Sequence, residues 1–139
     1  MPQLIPYLTF KGNGREAMTF YKECLGGELQ IMTYGESPVA AQMPKELHDS
    51  VMHGVLRKND FVLMASDMMA SEEPVQGNAV TLTLICPTIE ELESSFSRLS
   101  AGGKVGHPLE KQFFGTIGDF TDKFGFRWMC VMMNPDQKM

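Results

Sequence analysis

The sequence predicts an α+β fold built from two tandem βαβββ modules, and three observations lead there. Two amphipathic helical segments each stop at a glycine pair, Gly26-Gly27 and Gly102-Gly103, about 75 residues apart. Each segment follows one short β-prone stretch and precedes several more. The run FVLM at 61–64 is echoed by FRWM at 126–129. A chain of 139 residues holds one domain, or two half-size modules sharing a core, and has no room for a separate cofactor domain. The first module is expected over about 1–67 and a linker over about 68–78, where MMASEEPVQGN carries Pro74 and Gly77. The second module should cover about 79–134, with a short tail at 135–139.

The elements follow in order. LIPYLTF at 4–10 is apolar and β-prone, but Pro6 cannot donate to a sheet ladder, so the segment belongs at an edge, a strand start or a bulge. KGNG makes a turn into a helix whose Ala17, Phe20, Tyr21 and Cys24 recur at the spacing of one buried face. Asn13 and Glu16 stand at capping-box positions. ELQIMTY at 28–34 reads as a second strand and 35–50 as a long polar loop with Pro38 and Pro44. SVMHGVLRK and FVLMASD form a hairpin around Asn59-Asp60. In the second half AVTLTLIC is a strand, Thr88 opens a helix with Glu91 at the matching capping position, and Ile89, Leu92, Phe96 and Leu99 form its stripe. A β-rich stretch runs from Lys104 to Thr121, and FRWMCVMM closes the module after a turn at Phe124-Gly125.

Composition narrows the function classes. A hydrophobic fraction of 43% against 21% charged residues supports a folded chain. The net charge of −5, with no cluster of Lys and Arg, gives no footprint for a nucleic-acid backbone. No apolar run approaches a membrane span, and MPQLIPYLTF lacks the marks of a signal peptide. Cys24, Cys86 and Cys130 form no CxxC pair and read as packed thiols in a reducing cytoplasm. Twelve methionines suit core filling or an adaptable pocket.

The opening PYLTFKGNGREAMTFYKECLGGEL, the segment VMHGVLRKNDFVLMASD and the closing TDKFGFRWMCVMM resemble the PhnB-like branch of the vicinal-oxygen-chelate superfamily, which includes glyoxalase I, bleomycin-resistance proteins and ring-cleaving dioxygenases. The resemblance implies two modules whose mixed sheets curl around a cleft with helices outside, usually in a homodimer. Metal-binding members place ligands on the first and last strands of each module. Those positions fall here on Pro6, Met64, Thr81 or Thr83, and Met129. Proline has no donor atom, threonine is a poor neutral one, and a thioether suits soft copper rather than zinc, nickel, iron or manganese. No cofactor is therefore expected, and a divalent metal is disfavoured.

Strand parity rebuilds the cleft from the residues present. A two-residue turn at Asn59-Asp60 pairs Val55 with Met64 and His53 with Ser66, so His53 and Met64 share the cleft face while Phe61, Leu63 and Ala65 face the helix. On the last strand Phe126, Trp128 and Cys130 face the helices, and Arg127, Met129 and Val131 face the cleft or its rim. Expected ligand contacts are Tyr7, His53, Met64, Ser66, Thr81, Thr83, Phe114, Arg127 and Met129. His53 is the main functional candidate, as base, hydrogen-bond donor or lone metal ligand; its structural alternative is a histidine satisfied by Ser66 or a carbonyl. Arg127 either clamps a carboxylate or phosphonate, or pairs at the rim with Asp119 or Asp122. Phe113-Phe114-Gly115 either shapes the cleft mouth or is ordinary strand composition. His48 and His107 read as surface loop residues.

Gly12-Asn13-Gly14-Arg15-Glu16-Ala17 fits a dinucleotide fingerprint, with Glu36 at a suitable distance. That fingerprint needs parallel crossovers, and a chain with two helices and mostly hairpins lacks them. The same lack disfavours a methyltransferase. Glu72-Glu73 reads as solvated linker, and Glu90, Glu91 and Glu93 favour a helix dipole rather than forming a catalytic cluster. The expectation is a small-molecule-binding protein without the usual metal, its ligand held in an apolar cleft with His53 and Arg127 as polar contacts. The alternative is a glyoxalase- or dioxygenase-like enzyme using His53 as acid/base or metal ligand. A scaffold with no small ligand is the third reading.

Overall fold

A computed structural model describes residues 1–68 and 73–136. The linker is therefore described only in part, Glu72 lies outside the described residues, and so does the tail beyond Asp136. The chain divides into two compact units, Met1–Val75 and Gln76–Met139.

In the first unit, β1 (Tyr7–Phe10), α1 (Gly14–Leu25), β2 (Glu28–Thr33), β3 (Val51–Lys58) and β4 (Phe61–Asp67) form an open mixed sheet in the order β1-β4-β3-β2. β1 runs parallel to β4, and the other pairs are antiparallel. The second unit repeats this with β5 (Leu82–Ile85), α2 (Ile89–Ser100), β6 (Lys104–Gln112), β7 (Gly115–Thr121) and β8 (Arg127–Met133), in the order β5-β8-β7-β6. The α+β class and the βαβββ repeat stand as read from the sequence.

Each helix covers one face of its own sheet. α1 packs on β2, β3 and β4, and Leu8, Phe10, Leu56, Leu63 and Ala65 are buried with Ala17, Met18 and Tyr21. α2 packs on β6, β7 and β8 over Phe120, Trp128 and Cys130, with Phe96 edge-on to Phe120 at 5.2 Å between ring centroids. The glycine pairs divide the labour. Gly26, Gly27 and Gly102 take positive φ where the chain turns out of each helix. A Cβ on Gly27 would lie 2.4 Å from the Arg57 carbonyl oxygen, and one on Gly103 2.1 Å from that of Thr121. Asn59, at φ 49°, turns the β3–β4 hairpin.

Several expectations need correction. β1 begins at Tyr7 rather than Leu4; Pro6 precedes it, and the Pro6 carbonyl accepts from Met64 N (3.1 Å). The buried face of α1 is turned toward Gly14, Met18 and Leu25, which leaves Phe20 and Cys24 half-buried. On α2 Leu92 and Leu99 are buried, whereas Ile89 is exposed in the first turn. Thr88 Oγ1 accepts from Glu91 N (3.2 Å), the expected cap. Asn13 does not cap α1. The buried Asp67 carboxylate does so from β4: Oδ1 accepts from Gly12 N (3.0 Å) and Gly14 N (2.8 Å), and Oδ2 accepts from Val51 N (2.8 Å). These are the amides that a nucleotide phosphate would need, so the glycine motif serves a carboxylate. Glu36 is likewise committed, accepting from Thr33 Oγ1 (2.8 Å), which holds its carboxyl below the usual range.

The 34–50 connection is more built than a polar loop. It contains short 3₁₀ turns at Ala40–Gln42 and Lys45–Leu47, and Tyr34 and Ser37 are buried. His48 is not a surface residue: it is half-buried, and its Nε2 donates to the carbonyls of Ala40 (2.9 Å) and Met43 (3.2 Å). His107 lies in β6 rather than in a loop, although its side chain is exposed.

Candidate functional site

The face of each sheet turned away from its helix carries the candidate residues. In the first unit the register Tyr7↔Met64, Thr9↔Ser66 and Val55↔Met64 sets Tyr7, Thr9, Val55, Met64 and Ser66 on that open face. His53 is two residues from Val55 and so shares it. The β3–β4 ladder ends at Gly54↔Ala65, so His53 is paired across the sheet with Met32 of β2 and not with Ser66.

Tyr7 and His53 meet there, with Tyr7 Oη 3.2 Å from His53 Nδ1 and the ring centroids 5.8 Å apart. With the phenol donating, Nδ1 is the acceptor and Nε2 keeps its proton, pointing a donor away from Tyr7. Neither Ser66 nor a carbonyl satisfies the His53 ring among the described residues. Buried Tyr34 donates to the Asp67 carbonyl (3.4 Å). Burial raises its phenol pKa, and the Tyr7 and Asp67 charges add to that. Met32, 45% exposed, and half-buried Met64 supply deformable apolar surface beside the pair.

In the second unit Thr83↔Met129, Asp119↔Met129 and Thr121↔Arg127 set those residues on the open face. Thr81 precedes β5 and is half-buried, whereas Thr83 is exposed within it. Arg127 pairs with neither Asp119 nor Asp122. Its Nη1 donates to the Asn78 carbonyl (3.3 Å). Asp119 holds His107 instead, at 2.9 Å. Asp122 is buried and accepts from Phe124 N (2.8 Å), Phe126 N (3.0 Å) and Trp128 Nε1 (2.8 Å). Phe114, half-buried, stacks edge-on with the exposed Phe113 at the β6–β7 turn. Sequence reading missed Asp67, Tyr34 and the His107–Asp119 pair, because each depends on contacts distant in sequence.

The chain matches the Glyoxalase/Bleomycin resistance protein/Dioxygenase superfamily over residues 4–130. It belongs to that superfamily. Within the glyoxalase superfamily it is similar to Protein YjdN of Escherichia coli (strain K12), with 34% identity over 96% of this chain and 99% of that one. The crystal structure of protein PA1353 from Pseudomonas aeruginosa has a TM-score of 0.85 at 36% identity, covering 96% of this chain and 98% of that one. A PhnB protein from Bacillus cereus, named for a 3-demethylubiquinone-9 3-methyltransferase, has a TM-score of 0.76 at 25% identity, covering 94% and 99%. A glyoxalase-superfamily fold is compatible with small-molecule binding. The positions that the family resemblance gives to a divalent metal carry none of the usual His, Asp, Glu or Cys donors. Pro6 presents no side-chain donor, Met64 and Met129 are thioethers, and Thr81 and Thr83 are neutral hydroxyls.

Proposed function

We propose that this chain binds a small oxygenated organic molecule without a divalent metal, using the Tyr7–His53 pair as the polar centre of an otherwise soft, apolar surface. The observation that carries the reading is the 3.2 Å contact between Tyr7 Oη and His53 Nδ1 on the open face of the first sheet. A held imidazole flanked by methionines suits a ligand oxygen, with shape tolerance from the thioethers. On the open face of the second sheet Arg127 is a separate anchor for a carboxylate or phosphonate, because its bond to the Asn78 carbonyl leaves other N–H donors of the guanidinium for a ligand. The homodimer implied by the family resemblance belongs to the same reading, and sedimentation measures it.

The test is a thermal-shift screen of small phosphonates, thiol-aldehyde adducts and aromatic antibiotics against wild type, Tyr7→Phe and His53→Ala. A binder raises the melting temperature saturably. Loss of one neutral hydrogen bond weakens it by about five- to tenfold. A shift that is identical in all three proteins refutes the assignment of the pair. Elemental analysis of protein purified without chelator or affinity metal tests the metal-free part. Stoichiometric zinc, nickel, iron or manganese that disappears in His53→Ala overturns it. The same contact favours one second reading: a phenol and an imidazole sharing a proton can act as acid/base, so turnover of any ligand found is measured alongside binding.

A further inference from the structure

The second unit carries an oriented imidazole of its own. Asp119 on β7 uses both carboxylate oxygens on one residue: Oδ1 accepts from His107 N (3.1 Å), and Oδ2 lies 2.9 Å from His107 Nδ1. The β6–β7 register slips between Val105 and His107, so Gly106 is an extra residue in the ladder. A Cβ on Gly106 would lie 2.4 Å from Asp119 Oδ1, so glycine is what lets the carboxylate reach the backbone of His107 and its ring together. An ordinary surface ion pair leaves two side chains free to sample many arrangements. This one is fixed at both ends by a bulge.

The chemistry differs from that of the first unit. A carboxylate accepts and does not donate, so Nδ1 must carry the proton. In the neutral ring Nε2 then presents its lone pair, and it makes no hydrogen bond among the described residues. Tyr7 leaves His53 with an outward donor, whereas Asp119 leaves His107 with an outward acceptor. Asp119 sits beside Met129, and Arg127 lies on the same face two strands and two residues from His107, roughly 12 Å between Cα atoms at ordinary sheet spacings. Long side chains shorten that gap to the length of a single-ring molecule.

We infer that His107 is a second ligand-facing group, a proton acceptor oriented by Asp119, and that with Arg127 it selects an organic acid that also bears an acidic hydroxyl. This rests on the small-molecule reading above and extends it to the class of ligand. Met129 and Ile117 flank the dyad as apolar surface for the carbon skeleton. Asp119 is the positioning residue and makes no ligand contact itself.

The test has two parts. Long-range ¹H–¹⁵N spectra of the imidazoles, recorded at about pH 8.5 where a free histidine carries one ring proton, should show His107 with Nε2 unprotonated. Asp119→Ala should return it to the Nε2–H form while His53 is unchanged. Next, 4-hydroxybenzoate and benzoate, which differ by the hydroxyl alone, are titrated into wild type, His107→Ala and Asp119→Ala. The hydroxy acid should move the His107 signals and bind about tenfold more tightly than benzoate. Both variants should lose that preference without losing fold. An Nε2–H ring in wild type, equal affinity for the two acids, or no binding of either overturns the inference. Shifts confined to His53 overturn it too, yet leave the first-unit reading standing.

Discussion

Asp67 joins three parts of the first unit through one carboxylate, so Asp67→Ala should destabilise far beyond a typical surface change. The carboxylate is 3% exposed and accepts three backbone N–H groups at 2.8–3.0 Å. Hydrogen bonds to a charged acceptor contribute about 1.5–3 kcal/mol each, and a buried N–H left unpaired costs about 1–3 kcal/mol. Gly12 is exposed and its amide can turn to water, but Gly14 and Val51 are buried and theirs cannot. Counting those two fully and Gly12 little gives a loss of about 3–5 kcal/mol, against a total of about 5–15 kcal/mol for an ordinary domain. Asp67→Asn keeps one acceptor oxygen and should lose about half as much. Urea unfolding followed by circular dichroism gives the size, read from the midpoint at unchanged slope. Amide exchange at Gly14 and Val51 gives the place. A loss below about 1 kcal/mol with both amides still protected would show that water replaces the carboxylate, and the reasoning would fail.

Other substitutions follow the same logic. Gly14→Ala should destabilise although alanine is the better helix former by about 1 kcal/mol, because its Cβ would lie 2.9 Å from the pinned Asp67 Oδ1; a gain in the urea midpoint would contradict the contact. Asp122→Ala should shift the fluorescence of Trp128, the one tryptophan, to longer wavelength and destabilise by about 2–4 kcal/mol, since it strips Nε1 and two backbone amides of their acceptor. Unchanged emission would mean that the indole finds another partner. Burial pushes the Cys130 thiol up to about 12 from 9.0. Only the unfolded chain ionises it between those values, so its contribution is intact below about pH 9 and is lost as pH rises toward about 12. Near pH 10.5 that loss is on the order of 1–2 kcal/mol, smaller in Cys130→Ala, and urea midpoints at two alkaline pH values measure it.

What the sequence made legible was what local chemistry determines. The glycine pairs, the Thr88 cap, the Asn59 turn and the Val55–Met64 pairing each depend on residues within one turn or one hairpin. Strand parity then placed His53 and Met64 on one face, and Arg127 and Met129 on another. The misreadings are of a different kind. Asn13 has the right chemistry for a cap, but Asp67, 53 positions from Gly14, takes the position. His107 looks like a loop residue beside Pro108 because the Gly106 bulge interrupts the alternation that would mark a strand. His48 looks exposed because its carbonyl partners, Ala40 in a 3₁₀ turn and Met43 just after it, lie in a segment that leaves no strong periodic signal. Arg127 has two acidic residues nearby in sequence, yet each is already engaged, one by His107 and the other by the Trp128 indole.

The pairing of β1 with β4 bears on how the first unit matures during synthesis. Tyr7 and its partner Met64 are 57 residues apart, and β4 also carries the Asp67 that holds α1. At about 5–20 residues per second, the opening strand waits on the order of several seconds before the strand that receives it has been made. Until then neither β1 nor the start of α1 has its lasting partner in the nascent chain. The arrival of one seven-residue segment completes both at once, so a ribosomal pause placed just before codon 61 would lengthen the interval in which both stay without that partner.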